Sequence, residues 1–471
     1  MPASALPTCA PPPPQTSYDV IVIGGGVVGA CAAWRLASRS ASVLLLEQHD
    51  TLHRKGSSHG ESRIVRPTYP EEHYTRMMKT SYELWGQAQT EAGTSVFRRT
   101  GGLDMGPRGS KDMDAIISSA KAVGVDVDVY HDAKALARRC PGVVLPNEYV
   151  AVVNGDAGYV HATKAVAMFH TLAGSKGAVI RDRCRVERVA PVAAPTSGVE
   201  VVYSFVDSEA AGPLTNVVRA RCVCVCAGAW SGEMLRDVDE GGLLETARWA
   251  KAGRNTERVD KLASLPLPLT PIHTSVTYWQ LRDNTPRELY SSGSLPVFIC
   301  YDTKYSNERT PQCYGIYGFP CSEVDMPGCV KACLHSGPPI TPAGGMSLNS
   351  HLNARRDPIA HEPSVRQVQP FLRSVMPGLN ADAPVHSEGC IYTMTPDHDF
   401  IVDTLLEERA DAASPPSTLV AVAAGFSGHG FKLAPYVGER LADLCMGGDA
   451  AAKAREELNV LRMDRFAKAR L

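Results

Sequence analysis

The chain has 471 residues, and its 48 Lys and Arg against 50 Asp and Glu leave a formal net charge of −2. That length holds core enough for two or more compact units, and 44% hydrophobic with 21% charged residues is the composition of a folded globular chain. No Lys/Arg block stands out, which argues against a nucleic-acid or membrane-surface partner. The longest uncharged apolar stretch, Val20 to Trp34, carries four glycines and is too short to cross a bilayer.

Residues 1–17 include Pro11 to Pro14 and contain no Lys or Arg, so a disordered tail is expected rather than a signal peptide. An apolar strand pattern then ends in glycines spaced G-x-G-x-x-G at Gly24, Gly26 and Gly29. A helical pattern runs from Val27 to Arg39, and a second strand, Ser42 to Leu46, ends in Glu47. This is the βαβ unit of a dinucleotide site, FAD or NAD. Gly24 permits the tight turn, Gly26 admits a pyrophosphate to the helix N-terminus, and Gly29 lets helix and strand pack closely. Glu47 is placed to accept hydrogen bonds from a ribose diol.

A polar loop, Lys55 to Arg66, follows, then an amphipathic helix from about Tyr74 to Ala92 and a turn into a strand at Thr100 to Leu103. His161 to Leu172 reads as helix, and Val186 to Val206 and Val217 to Cys226 as strands. Cys222, Cys224 and Cys226 alternate, so they share one strand face and read as small buried hydrophobes. Cys329 and Cys333 have no companion at zinc-site spacing, and no metal is expected. The 14 cysteines, without an export signal, suggest reduced thiols. The strand Val217 to Cys226 closes in Cys226-Ala-Gly-Ala-Trp-Ser231, where Gly228 would let backbone touch a ligand.

Two stretches, 237–264 and 336–363, have the composition of loop insertions. Strand-like runs at Ser275 to Leu281, Val297 to Tyr301 and Tyr314 to Phe319 suggest an antiparallel sheet. The chain then returns to a strand, Leu419 to Ala424, a Gly-rich turn with Gly428 and Gly430, and a helix from about Ala434 to Met446. The expected fold is α/β: a Rossmann-like nucleotide-binding domain made of 18–99, 157–240 and 388–455. It is interrupted by an α+β substrate domain on a largely antiparallel sheet, 100–156 and 241–387, and 456–471 forms a tail.

Four blocks line up along the chain: Gly56-Ser-Ser-His-Gly-Glu-Ser-Arg-Ile-Val-Arg66; Tyr317-Gly-Phe-Pro320 followed by Lys331 and His335; Cys390-Ile-Tyr-Thr-Met-Thr-Pro-Asp397; and Gly425-Phe-Ser-Gly-His-Gly-Phe-Lys432. In this order, from about Tyr18 to Leu471, they resemble the monomeric sarcosine oxidase family of FAD amine oxidases, within the D-amino-acid-oxidase-like superfamily. The likeness is strongest to the peroxisomal branch, whose substrates are sarcosine and L-pipecolate.

The resemblance implies FAD as cofactor, joined through the Cys390 sulfur to the flavin 8α carbon, with Ser57, Ser58, Gly228, Gly428 and Gly430 beside it. Arg66 and Lys432 take the positions that bind the substrate carboxylate, a planar fork and a point charge. Arg63 and Lys331 are cations near the flavin ring, and Lys331 would stabilise the superoxide that forms as oxygen is reduced. His335 and Tyr317 line the substrate side. A His with a pKa near neutrality would steer loss of the substrate's ammonium proton. His59 positions the flavin, and Tyr392 packs near it. Glu323 to Pro327 reads as a small extension between Tyr317 and Lys331.

The implied reaction is oxidation of a small secondary amino acid by hydride transfer to flavin N5, giving an imine, with O2 reduced to H2O2. Alternatives are a dehydrogenase of the same fold that passes electrons to a carrier protein, a flavoprotein domain modifying tRNA, and a flavin-binding protein without turnover. The near-neutral charge argues against the tRNA reading. The C-terminal Ala469-Arg470-Leu471 has the form of the peroxisomal address, implying a peroxisomal import receptor as partner.

Overall fold

In a computed structural model of the chain, β1 (Ser17–Ile23) enters a tight turn at Gly24, and α1 (Val27–Ala37) and β2 (Val43–Leu46) follow. The structure describes residues 15–192, 197–206, 215–236, 242–245, 249, 268–305, 315–321, 326–341, 350–352, 361–408 and 417–466. Most of the N-terminal tail, nearly all of the 237–264 stretch, much of 336–363, Glu323 in the small extension and Ala469–Leu471 lie outside the described residues.

Gly24 has φ +103°, and a Cβ there would lie 2.4 Å from the Cys226 carbonyl oxygen. At Gly29 a Cβ would lie 1.9 Å from the Gly24 carbonyl oxygen. The turn therefore needs both glycines, the first for its dihedral and the second for the close approach of helix to strand.

The first sheet has parallel pairs at its centre: Val179–Arg181, β2, β1, Thr215–Val225 and Ser417–Ala424. Ile401–Glu408 adds antiparallel to the last of these. The run expected as strand over Val186 to Val206 is two strands, Cys184–Pro191 and Val199–Phe205, paired antiparallel and joined to Thr215–Val225. Alternation along β1 divides the core. Val20 and Val22 pack on the side of α1, while Ile21 and Ile23 pack on the other side. Cys222, Cys224 and Cys226 all fall on the α1 side, as their spacing requires. Every cysteine among the described residues is free and buried.

The second sheet runs in the order His386–Met394, Thr270–Gln280, Cys329–Leu334, Ile316–Phe319, Val297–Cys300, Gly102–Pro107, Tyr149–Asn154, Asp128–Tyr130. All its pairs are antiparallel except Val297–Cys300 with Gly102–Pro107. The strand that carries Cys390 thus belongs to this sheet and not to the nucleotide-binding layer that was expected to resume at 388. It pairs with Thr270–Gln280 over its length, with Cys390 opposite Thr274. A third, small sheet of Ser62–Val65, Gly158–His161 and Phe97–Arg99 lies on the path between the two large ones.

Candidate active site

A cavity of about 400 Å³ opens at the C-terminal ends of β1 and β2, where open parallel sheets bind their ligands. Gly24, Gly26, Glu47, Ser57, Ser58, Gly228, Gly428 and Gly430 all line it. Gly29 does not line it; its contact with the Gly24 turn is what shapes the mouth. A Cβ at Gly26 would sit 3.0 Å from Ser58 Oγ, and that hydroxyl accepts a hydrogen bond from the Val27 backbone N–H at 3.1 Å. The start of α1 therefore presents its amides into a glycine cradle, the chemistry that suits a pyrophosphate.

Glu47 closes the other end. Its Oε2 accepts from the Gly25 N–H and its Oε1 from the His49 N–H, both at 2.8 Å. Burial pushes its pKa up, but the His53 side chain 3.4 Å away and these amides outweigh that and hold it below the usual value. An ionised acceptor at the end of the second strand fits a ribose diol. The cradle and this acid fit a dinucleotide, and the length of the cavity, from Glu47 to Tyr392 and Phe431, provides for its ring system.

Around the ring end, the polar loop is tied to the Cys390 strand. Ser57 Oγ donates to the Ile391 carbonyl at 2.7 Å. Arg63 Nη2 donates to the His59 carbonyl at 2.6 Å and to the Ser57 carbonyl at 3.2 Å, and lies 3.7 Å from Cys390 Sγ. The buried Cys390 sulfur is thus next to a fixed guanidinium. Burial and Arg63 push the His59 imidazole down to about 4. Lys331 is buried opposite Phe319 on the neighbouring strand. Its Nζ donates to the Ser62 carbonyl at 3.2 Å and to Ser62 Oγ at 3.1 Å, and stands 4.6 Å from the Phe319 ring centre.

A second cluster lies behind the cavity wall. Arg66 is 3% exposed and its guanidinium sits 4.3 Å from the Tyr69 ring centre. Lys432 is 6% exposed, and its Nζ donates to Tyr69 Oη at 3.0 Å and to the His429 carbonyl at 3.2 Å. One tyrosine ring therefore bridges the two cations. Burial first, and then Arg66, push the Lys432 ammonium well below its ordinary pKa. Tyr317 and Tyr392 meet hydroxyl to hydroxyl at 3.4 Å, and the His335 ring stands 5.1 Å from Tyr392 and 5.9 Å from Tyr317. A Cβ at Gly428 would lie 2.5 Å from the Tyr392 ring and 2.7 Å from His335, so Gly428 brings the two compartments into contact.

The structure thus gathers the expected residues in two neighbouring groups. The nucleotide cradle, Arg63 and His59 face the cavity; Arg66, Lys432, His335 and Tyr317 stand beyond Tyr392 and Phe431. One expectation is corrected. His335 does not sit near neutrality: burial, with Lys432, His398 and Arg66 adding to it, pushes its imidazole down to about 3. Three residues of this cluster escaped the sequence reading: Tyr69, Asp104 and His429. Asp104 left one signal, an acid inside the apolar run Gly102-Leu-Asp-Met105. Tyr69 left none.

A glycine-cradled dinucleotide cavity set against a buried cationic pocket defines a dinucleotide-dependent oxidoreductase. The family model described as FAD dependent oxidoreductase matches residues 19–278 and 340–444, and the chain belongs to that family. Its cofactor is FAD. It is similar to a probable sarcosine oxidase of Arabidopsis thaliana, 32% identical over 92% of this chain and 89% of that one. It is also similar to the peroxisomal sarcosine oxidase of Mus musculus, 30% identical over 96% and 97%. Among solved structures it resembles NikD, an unusual amino acid oxidase, with a TM-score of 0.66 at 21% identity over 95% of this chain and 98% of that one. The L-proline dehydrogenase of P. horikoshii matches with a TM-score of 0.64 at 20% identity, over 97% and 99%.

Proposed function

We propose that the protein is an amino-acid oxidase that oxidises the C–N bond of a small secondary amino acid, sarcosine or L-pipecolate, with O2 as acceptor and H2O2 as product. The observation that carries this reading is the buried pair of cations, Arg66 and Lys432, on either side of Tyr69. Asp104, 3.7 Å from Arg66, answers one of the two charges, and an amino-acid carboxylate is the further anion that relatives named sarcosine oxidase lead one to expect beside the pair. Bound FAD supplies the hydride acceptor and returns the electrons to oxygen.

The chain's own residues do the rest. Arg66 and Lys432 hold the carboxylate and so fix where the C–N bond lies. His335, Tyr317 and Tyr392 wall the amine side and exclude water. The burial and the cations that hold His335 unprotonated act equally on a substrate ammonium beside it. They favour the neutral amine, the form that gives up hydride, with the ammonium proton released to solvent as the substrate binds. Lys331, held by Ser62, is the cation for the anion that forms as oxygen is reduced. The place of Cys390 in its Cys-Ile-Tyr-Thr block, with the Arg63 guanidinium 3.7 Å from its sulfur, supports a covalent bond from Cys390 to the flavin 8α position. Relatives named as peroxisomal support the peroxisome as its compartment.

The test is peroxide release from the purified flavoprotein over a panel of sarcosine, L-pipecolate and L-proline. Turnover with stoichiometric H2O2 is expected. Fast dye reduction with little peroxide would instead select the dehydrogenase reading, which the fold shared with an L-proline dehydrogenase keeps in view. Flavin that washes out of the acid-precipitated chain would remove the covalent link to Cys390 without touching the oxidase reading.

A further inference from the structure

Asp104 is an acid on a strand whose neighbours are buried, and it is itself 3% exposed. A carboxylate in such a place is costly unless cations and donors meet it. Its Oδ2 accepts from Thr68 Oγ1 at 2.6 Å, and its Oδ1 lies 3.7 Å from Arg66 Nη1. Arg66 in turn donates to the Thr68 carbonyl, so Thr68 clamps acid and guanidinium together. Burial outweighs the opposing pull of Arg66, Thr68, Tyr301 and Lys432 and leaves the Asp104 pKa above its ordinary value.

We propose that Asp104 is a positioning residue of the carboxylate pocket: it aims Arg66 and cancels its charge, so that an incoming carboxylate must recruit the ammonium form of Lys432. The inference rests on reading Arg66 and Lys432 as the carboxylate pocket. It goes further by assigning the two cations different parts. Arg66 is permanently charged and has Asp104 3.7 Å away as its counter-charge. Lys432 is the cation that changes. Without an anion, burial and Arg66 oppose its proton, and Asp104 is the nearby negative charge that favours it. With a carboxylate beside it, the proton is held. Binding should therefore carry a proton into the site.

The sign follows. A group whose pKa rises on binding contributes affinity that is full at low pH and is lost as pH climbs through its bound-state value. The other groups facing the pocket are Arg66, Tyr69, Glu71, Tyr301, His335, His398 and His429. Burial holds His335 and His429 neutral and pushes the Tyr69 hydroxyl up, so above about pH 7.5, past the ordinary imidazole range, these three do not compete with Lys432.

Acetate, a carboxylate without an amine, isolates this step. Calorimetric titration of the FAD-loaded protein with acetate at about pH 8, in two buffers of different ionisation enthalpy, counts the protons taken up. Close to one proton per acetate is expected, with affinity falling by up to about tenfold per pH unit. Asp104→Asn should bring uptake close to zero and flatten the pH dependence, and Asp104→Glu should restore both. Should Asp104→Asn fail to hold flavin, Asp104→Ser, which keeps a hydroxyl toward Thr68, makes the same test. Wild-type uptake in the variant that lacks the acid overturns the proposal. Acetate affinity unchanged in both Arg66→Met and Lys432→Met would overturn the carboxylate pocket itself, and this proposal with it. Weakened binding in those two with full uptake in Asp104→Asn would overturn the role of Asp104 alone.

Discussion

The nucleotide cradle and the cationic pocket meet at Gly428, yet they are built on opposite principles. The cradle is local. Gly24, Gly26, Gly29 and Glu47 lie within one βαβ unit, and the ligand is met mostly by backbone amides and a helix terminus. The pocket is assembled from afar. Arg66 and Tyr69 come from just after the strand Ser62–Val65, Asp104 from a strand of the second sheet, and Lys432 from the turn before the helix Ala434–Met446. The cradle tolerates little change in shape and much change in charge. The pocket is the reverse, since its residues are held by one another's charges and by Tyr69.

The largest effect should come from adding bulk to the cradle. Gly29→Val places carbon atoms where the Gly24 carbonyl oxygen already lies 1.9 Å from the nearest possible Cβ. Such overpacking typically costs about 1–3 kcal/mol and often more when backbone must move. The expected result is a chain that retains little or no FAD, read as the 450 nm absorbance per mole of protein in the ~450 nm flavin band. Full flavin content would show that the turn can relax, and the contrast between the two regions would weaken.

Lys432→Met makes the opposite change, removing charge and keeping bulk. Flavin content should stay at the wild-type level. Apparent KM for the amino acid should rise about ten- to hundredfold, as expected when a charge-assisted contact worth about 1.5–3 kcal/mol is lost. A fall in flavin content equal to that of the glycine variant would mean that the two regions are one cooperative site.

The histidines of the two regions set a pH response. His59 and His335 are pushed down to about 4 and about 3, whereas an unfolded His binds its proton near about 6.5. Below that value the unfolded chain takes up protons that the folded chain refuses, so stability falls as pH drops from about 6.5 toward 4. The midpoint of thermal unfolding should decline over this range, and His335→Asn should make the decline shallower. An unchanged slope would place the acid sensitivity elsewhere. The smallest effect belongs to Ser58→Ala. It removes the acceptor for the Val27 N–H, a hydrogen bond worth about 1 kcal/mol. Because a bound phosphate would take over that amide, flavin content should change little while the FAD-free protein loses about one degree of unfolding temperature.

The sequence by itself determined the parts whose physics is local. The G-x-G-x-x-G turn, the alternating cysteines of Thr215–Val225 and the helix Ala434–Met446 follow from spacing and residue type, and each stands where the pattern put it. The motifs far apart in the chain also meet, since Arg63 and Ser57 both contact the Cys390 strand. Tertiary structure alone decided three things. It placed the Cys390 strand in the second sheet, because pairing partners 116 positions apart (390 − 274) leave no mark in a linear pattern. It drove His335 far below neutrality, because desolvation and the charges of Arg66 and Lys432 exist only once those groups are buried together. And it set Asp104 beside Arg66, turning an odd acid in an apolar strand into the counter-charge of the pocket. Spacing dictates backbone shape, which acts over a few residues. Electrostatics depends on distance and burial, and those are properties of the folded chain.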